Sequence, residues 1–178
     1  VSQLIEIEEG DQVLDFCAGS GGKTLAVASE ANKVAYYSAW DENFNRMDDL
    51  ENRANRAGIK IRKLLNKPVD NIYDKVIIDA PCSGSGAWRR SPQGKWDLSL
   101  DKLMQYIDIQ KRLILDGFKL LKPGGQVIYM TCSVLDVENE KLIKELVLAE
   151  GTFYEKKILN LLPTVQNDGF FAAILKKI

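Results

Sequence analysis

Histidine is absent from this sequence of 178 residues. That removes Ser-His-Asp and Cys-His catalysis, and histidine-ligated metal sites, in one step. Cysteine is scarce: Cys17, Cys82 and Cys132 form no C-x-x-C pair and are odd in number. Neither a disulfide framework nor a zinc knuckle is expected, no metal is expected, and a reducing cytoplasmic compartment is the natural one. Charge of one sign is also lacking, since 24 Lys and Arg face 25 Asp and Glu for a net charge of −1, with a pI near 5.6. A protein that held nucleic acid by neutralising phosphates would carry a basic excess, so any such affinity must come from elsewhere. No long apolar run and no charged-then-apolar leader occurs, so neither a membrane span nor a signal peptide is expected. The opening on Val1 leads us to expect further residues upstream. Repeats, low-complexity tracts and Pro/Ser-rich linkers are missing too, which predicts one continuous domain over residues 1–178, monomeric.

What is present is an alternation of apolar, β-branched runs with longer amphipathic stretches. Strands are predicted at residues 12–16, 34–40, 60–65, 74–79 and 126–131, and helices at 23–31, 42–57, 99–121 and 137–150. Lys122-Pro123-Gly124-Gly125 reads as a helix stop. Two last strands, around Phe153 and at 170–175, have no helix between them and predict an antiparallel edge hairpin. The fold class is therefore α/β, a mostly parallel sheet wound on both faces. Ligands of such sheets sit outside the carboxyl ends of the strands. The unusual residues follow strands one, four and five there, so the three cysteines are expected to converge on one edge. For Cys17 alone, a small buried hydrophobe is the favoured reading; for Cys82 and Cys132, beside turn formers at strand ends, chemistry is.

The first motif, DFCAGSGGKT at 15–24, joins a strand to a helix. Gly19, Gly21 and Gly22 allow a tight turn whose N–H groups approach a polar ligand. A Walker A loop would need Gly at Cys17, and a dinucleotide fingerprint would need Gly at Thr24. Asp15 followed by Gly-x-Gly is instead the arrangement of methyltransferases that bind S-adenosylmethionine. Asp41, at the end of strand two, is placed to accept hydrogen bonds from a ribose. The second motif, DAPCSGSG at 79–86, ends a strand in an acid, a proline and a thiol. Amino-methyltransferases carry an aromatic where Cys82 stands, and a thiol there favours attack on a ring carbon. Thr131-Cys132-Ser133 closes strand five.

With these motifs, and with WRRSPQGKW at 88–96, KPGGQVIYMTCS at 122–133 and DGFFAAILKK at 168–177, the chain resembles the RNA cytosine-C5 methyltransferases of the Nop2/Sun/RsmB type. The matches run in order over nearly the whole chain, and the tract at 87–96 looks most like the bacterial enzymes of small-subunit ribosomal RNA. The resemblance implies a class I S-adenosylmethionine-dependent methyltransferase (Rossmann-like) fold, S-adenosylmethionine as cofactor, an RNA substrate, most often 16S ribosomal, and 5-methylcytosine as product. It implies Cys132 as the nucleophile at C6 and Cys82 as the thiol assisting release. It further implies Asp79 as partner of the cytosine N3 and N4 edge, and Lys23 as the group orienting Asp79 or lowering a thiol pKa. Cys17, Ala18, Gly19, Ser20, Gly21, Gly22, Lys23, Asp41, Arg46 and Asp79 would contact the cofactor. Three departures stand out. Gly19-Ser20 replaces the usual Ala-Pro, Asn66 or Asp70 would have to serve as the residue after strand three, and the family's N-terminal RNA-binding domain is not in the sequence.

Trp88, Arg89, Arg90, Lys95 and Trp96 interleave cations and aromatics, which suits phosphates and unstacked bases or, equally, a solvated loop with Trp anchors. Arg53, Arg56, Lys60, Arg62 and Lys63 read as a solvated helix end. Three alternatives remain at this level. A non-catalytic S-adenosylmethionine-binding assembly factor has no use for two placed thiols, a P-loop phosphotransferase fails at Cys17, and a tRNA rather than an rRNA methyltransferase remains open.

Overall fold

Strand four shows why the sheet must be covered on both sides: Val76, Ile77 and Ile78 are consecutive, alternate in direction, and are all fully buried. The computed structural model describes residues 5–31, 33–69 and 71–178. The parallel part comprises β1 (Gln12–Asp15), β2 (Tyr36–Ala39), β3 (Ile61–Lys63), β4 (Tyr73–Asp79) and β5 (Leu121–Thr131). An antiparallel pair follows, β6 (Phe153–Leu161) and β7 (Phe170–Lys177). They form one seven-stranded sheet in the order β3-β2-β1-β4-β5-β7-β6. The expected edge hairpin is there, with β7 inserted between β5 and β6.

Helices α1 (Gly22–Glu30), α2 (Leu50–Ala57), α3 (Gln93–Asp97), α4 (Leu100–Leu120) and α5 (Glu140–Glu150) connect the strands. Ile107, Ile114 and Phe118 of α4 and Leu142, Ile143 and Leu146 of α5 pack on one face, against Leu14, Val76, Ile78, Val127 and Tyr129. Val27 of α1, with Ile5 and Ile7, covers the other face over Val13, Ile77, Ile128 and Met130. Gly117 lets α4 lie close to the sheet, because a Cβ there would stand 2.9 Å from Ile78 Cδ1. Ser99 caps α4 by accepting from Lys102 N–H at 3.2 Å.

Three boundaries differ from expectation, each for a local reason, and one helix is additional. The expected helix over 42–57 is split into a 3-10 turn, Phe44–Met47, and α2, because Asp41 captures Asn43 N–H at 3.0 Å and delays the helix. The helix expected from 137 starts as α5 only at Glu140, after a 3-10 turn at Asp136–Glu138. Asn139 is pulled inward there, accepting from Thr131 Oγ1 at 2.8 Å and donating to Ser133 O at 2.9 Å. Lys122-Pro123-Gly124-Gly125 does not end a helix; α4 stops at Leu120 and the tract bulges inside β5, whose pairing jumps from Tyr73↔Leu121 to Lys75↔Gln126. Lys177 Nζ donates to Phe118 O and Leu121 O, both at 2.9 Å, satisfying the carbonyls this abrupt ending exposes. Helix α3, five residues long, was not expected at all.

The strand order reverses between β1 and β4: the chain runs outward through β2 and β3, then returns to the other side of β1. The loops after β1, β4 and β5 therefore open onto one crevice, as the rule for open α/β sheets requires.

Candidate active site

Asp15, the last residue of β1, is buried and ties the strand end to α1 by accepting from Thr24 Oγ1 at 2.5 Å. Cys17 N–H adds a longer contact at 3.4 Å. Burial pushes the Asp15 carboxyl up to about 6, against the hydrogen bond from Thr24, which lowers it. Asp15 thus holds more protons folded than unfolded between about pH 4 and pH 6. Its contribution falls as pH rises through that window and stands as a cost of about 3 kcal/mol above it. Asp15→Asn removes this titration. Its stability relative to the native chain is expected to rise by about 2 kcal/mol between about pH 4 and pH 7 in urea melts. A difference that does not change with pH would refute the burial argument.

The glycine loop is held from three sides. Ala18 N–H donates to Trp40 O at 3.0 Å, and Gly19 N–H to Asp41 Oδ2 at 2.8 Å. Ser20 is held through its carbonyl and hydroxyl by Arg53 Nη1 at 2.9 and 2.6 Å. Arg53 is thereby corrected: it is not part of a solvated helix end but braces the loop, which its sequence neighbours could not reveal because Ser20 lies 33 positions away. Arg56, Lys60 and Arg62 are exposed, as expected, while Lys63 Nζ lies 4.4 Å from the Phe44 ring centroid. Gly21, at φ 79°, is the tightest point, since a Cβ would fall 1.9 Å from Leu50 Cδ1. Gly21→Ala is expected to destabilise the chain by about 2 kcal/mol or more, from strain and overpacking together. A melting temperature unchanged from the native chain would contradict this. Gly22 opens α1.

Beyond the loop lies a cavity of about 470 Å³, lined on one side by Phe16, Cys17, Trp40, Asp41, Glu42 and Arg46 and on the other by Asp79, Pro81, Cys82 and Cys132. All three cysteines converge there. Phe16 and Trp40 stack at 4.9 Å. Asp41 is almost fully buried and is paired with Arg46 Nη1 at 3.4 Å. Arg112, Leu113 and Asp116 of α4 close the cavity, with Lys67 after β3. Asn66 is exposed and the wall is formed by its neighbour Lys67; Asp70 lies outside the described residues. The Cys17 thiol is pushed up, first by burial and then by Asp15, Asp41 and Asp79. Half-buried, it lines the cavity as a wall group.

At the far end, Asp79 lines the cavity, and its Oδ2 pairs at 3.0 Å with Nζ of Lys23, which does not itself line it. Cys82 Sγ and Cys132 Sγ face each other at 3.4 Å. The thiols are opposed electrostatically. The hydrogen bond from Cys82 lowers Cys132 to about 7. Cys82 is pushed up by that same bond, by burial and by the Cys132 and Glu138 charges. Of the two, Cys132 is the one that ionises near neutral pH.

Sequence reasoning missed what lies directly behind the thiols. Glu138, fully buried, accepts from Ser83 N–H at 2.9 Å, Ser83 Oγ at 2.5 Å, Ser133 Oγ at 2.5 Å and Gln110 Nε2 at 3.0 Å. In DVENE it looks like one more acid at the start of a surface helix. The only hint was a serine following each of the two cysteines.

Arg89 and Arg90 both pair with Asp168 in the loop before β7, Arg90 Nε at 2.7 Å and Arg89 Nη2 at 3.3 Å. Trp88 Nε1 is buried without a partner among the described residues, whereas Trp96 is 78% exposed with Lys95 Nζ 5.8 Å from its ring. Of the two tryptophans, Trp88 is the anchor and Trp96 the free aromatic face. Among the described residues, no cluster of Cys, Asp and Glu suits a metal ion, and no helix is long and apolar enough to cross a membrane.

Comparison with known proteins gives a consistent set of relatives. The tRNA (cytosine(49)-C(5))-methyltransferase of Pyrococcus abyssi is 32% identical over 159 residues, covering 86% of this chain and 51% of that protein. Ribosomal RNA small subunit methyltransferase B of an Enterobacter species is 32% identical over 191 residues, covering 97% and 44%. The chain thus spans about half the length of the curated relatives it matches. Among solved structures, NSun6 from Pyrococcus horikoshii with SFG superposes with a TM-score of 0.85 at 25% identity, covering 99% of this chain and 50% of that one. A methyltransferase homolog protein from Pyrococcus horikoshii gives 0.79 at 25%, covering 99% and 65%. The sheet with its antiparallel edge is accordingly the S-adenosylmethionine-dependent methyltransferase fold. A family profile described as 16S rRNA methyltransferase RsmB/F matches residues 2–176, and with that match over almost the entire length the chain belongs to the RsmB/F family.

Proposed function

We propose that this chain methylates C5 of cytosine in RNA, using S-adenosylmethionine as methyl donor and Cys132 as covalent nucleophile. The observation that carries the reading is the pair of thiols 3.4 Å apart at the end of the cavity that Asp79 also lines. The wall chemistry favours the proposed donor. Four carboxylates, Asp41, Glu42, Asp79 and Asp116, face three cations, Arg46, Lys67 and Arg112. Such a wall suits ribose hydroxyls and a cationic sulfonium better than a triphosphate. NSun6 from Pyrococcus horikoshii, which shares the fold, holds SFG, an analogue of S-adenosylmethionine.

C5 of cytosine is a poor nucleophile. The Cys132 thiolate adds to C6, forming a C–S bond and moving electron density onto C5, while Asp79 engages the N3 and N4 edge and favours its protonation as charge develops. S-adenosylmethionine, when bound, supplies the methyl group as an electrophile. Water in the open cavity takes the C5 proton, the C–H electron pair restores the C5–C6 double bond, and the C6–S bond breaks with Cys132 leaving as thiolate; Cys82, in hydrogen-bond contact with that sulfur, assists this release. Lys23 holds Asp79 in place. The target base must leave any stack for its C6 face to meet a thiol.

A small-subunit ribosomal RNA is the proposed substrate, in line with the family description. A tRNA is the second reading, favoured by the Pyrococcus abyssi relative. Incubating the chain with each RNA and S-adenosylmethionine, followed by bisulfite sequencing, separates them. Calorimetric titration with S-adenosylmethionine and with Mg-ATP tests the donor; tighter binding of Mg-ATP overturns the reading.

A further inference from the structure

We propose that Glu138 is a positioning residue: one buried carboxylate that clamps the loop bearing Cys82 to the loop bearing Cys132 and so holds the two thiols face to face. The inference rests on the proposed function for its meaning, although its geometry stands independently. Oε1 accepts from Ser83 N–H and from Gln110 Nε2. Oε2 accepts from Ser83 Oγ and from Ser133 Oγ. Ser83 directly follows Cys82 and Ser133 directly follows Cys132, so a single side chain reaches the neighbour of each thiol. The far side is braced too. Gln110 Nε2 also donates to Pro81 O at 2.9 Å, fixing the residue before Cys82, and Tyr129 OH donates to Glu138 O at 2.8 Å. Ser85 Oγ completes the tie, lying 2.9 Å from Ser133 Oγ and accepting from Val134 N–H at 2.9 Å.

A buried carboxylate without a cation is costly unless every oxygen is satisfied. Among the described residues Glu138 pairs with no Lys or Arg and is instead held by four donors, an arrangement that packing alone would not require. Addition by Cys132 and release assisted by Cys82 need the two thiols held in register beside one base, and loops after different strands do not supply that without a common anchor.

The test reads the thiols without RNA. The chain is treated with iodoacetamide, and the rates at Cys132 and Cys82 are resolved by mass spectrometry. The native chain is expected to label Cys132 at least about 10-fold faster, because it is the more readily ionised. Glu138→Ala should collapse that ratio by on the order of 10-fold, the loss of two or more hydrogen bonds to the loops. Glu138→Gln keeps the tethers, since the serine hydroxyls can turn to accept from its amide, and should stay closer to the native ratio. A native ratio in Glu138→Ala, or equal loss in both variants, overturns the clamp. If Glu138→Ala does not fold, the double variant Ser83→Ala/Ser133→Ala replaces it with the same expected collapse, and a retained ratio again overturns it. In methylation assays, Glu138→Ala should lower kcat with little change in KM for S-adenosylmethionine. Should the ratios shift as stated while no variant and not the native chain methylates any RNA, the clamp stands and the proposed function fails.

Discussion

Cys132→Ala abolishes both methyl transfer and any covalent link to RNA, whereas Cys82→Ala forms the link and fails to break it. That is the expected result of the proposed division of labour between two thiols 3.4 Å apart. Attack requires a thiolate, and the electrostatics favour it at Cys132, lowered to about 7 by the hydrogen bond from Cys82, over Cys82, which that same bond and then burial push up. Resolution requires a separate group beside the adduct, and Cys82 is the group in contact. A denaturing gel of each variant with RNA and S-adenosylmethionine, with the adduct mapped by mass spectrometry, reads the outcome. A band in Cys132→Ala and none in Cys82→Ala reverses the assignment. Intact methylation in both sinks covalent catalysis. The single-turnover rate of the native chain should rise with pH and level off above about pH 7, as Cys132 ionises. A rate that falls over that range contradicts it.

Asp79→Ala is expected to cut the single-turnover rate by roughly 10²- to 10⁴-fold, the usual contribution of a positioned proton partner. The side chain lines the cavity and is held by Lys23 at 3.0 Å, so its loss removes the proposed partner of the base and leaves Lys23 without its carboxylate. Lys23→Ala, which keeps the carboxylate but frees it, should cost less. An Asp79→Ala rate within about 10-fold of native, with S-adenosylmethionine still bound by calorimetry, would show that the base is activated without it.

The parts legible in the sequence were those written in local patterns. Continuous apolar, β-branched runs exposed the strands; Gly-x-Gly after an acid and Pro-Cys after a strand exposed the two loops that meet. Elements whose bounds depend on which nearby group a polar side chain captures were not legible. The split of the expected helix at 42–57 follows from an Asp41 side chain taking a backbone N–H, and the late start of α5 follows from Asn139 reaching back to Thr131 and Ser133. In both places a side chain serving the site outcompetes helix propensity.

By itself, then, the sequence determined the fold class, the strand ends that carry the chemistry and the three thiols at one edge, because strand polarity and loop composition are properties of contiguous residues. Only the tertiary structure decided that Cys82 and Cys132 stand 3.4 Å apart, that Arg53 braces the glycine loop, that α4 contributes Arg112 and Asp116 to the cavity, and that Glu138 ties two cysteine loops from below. Those facts depend on burial and on distances of a few ångströms between residues 5 to 55 positions apart, and such distances exist only once the sheet has closed its core.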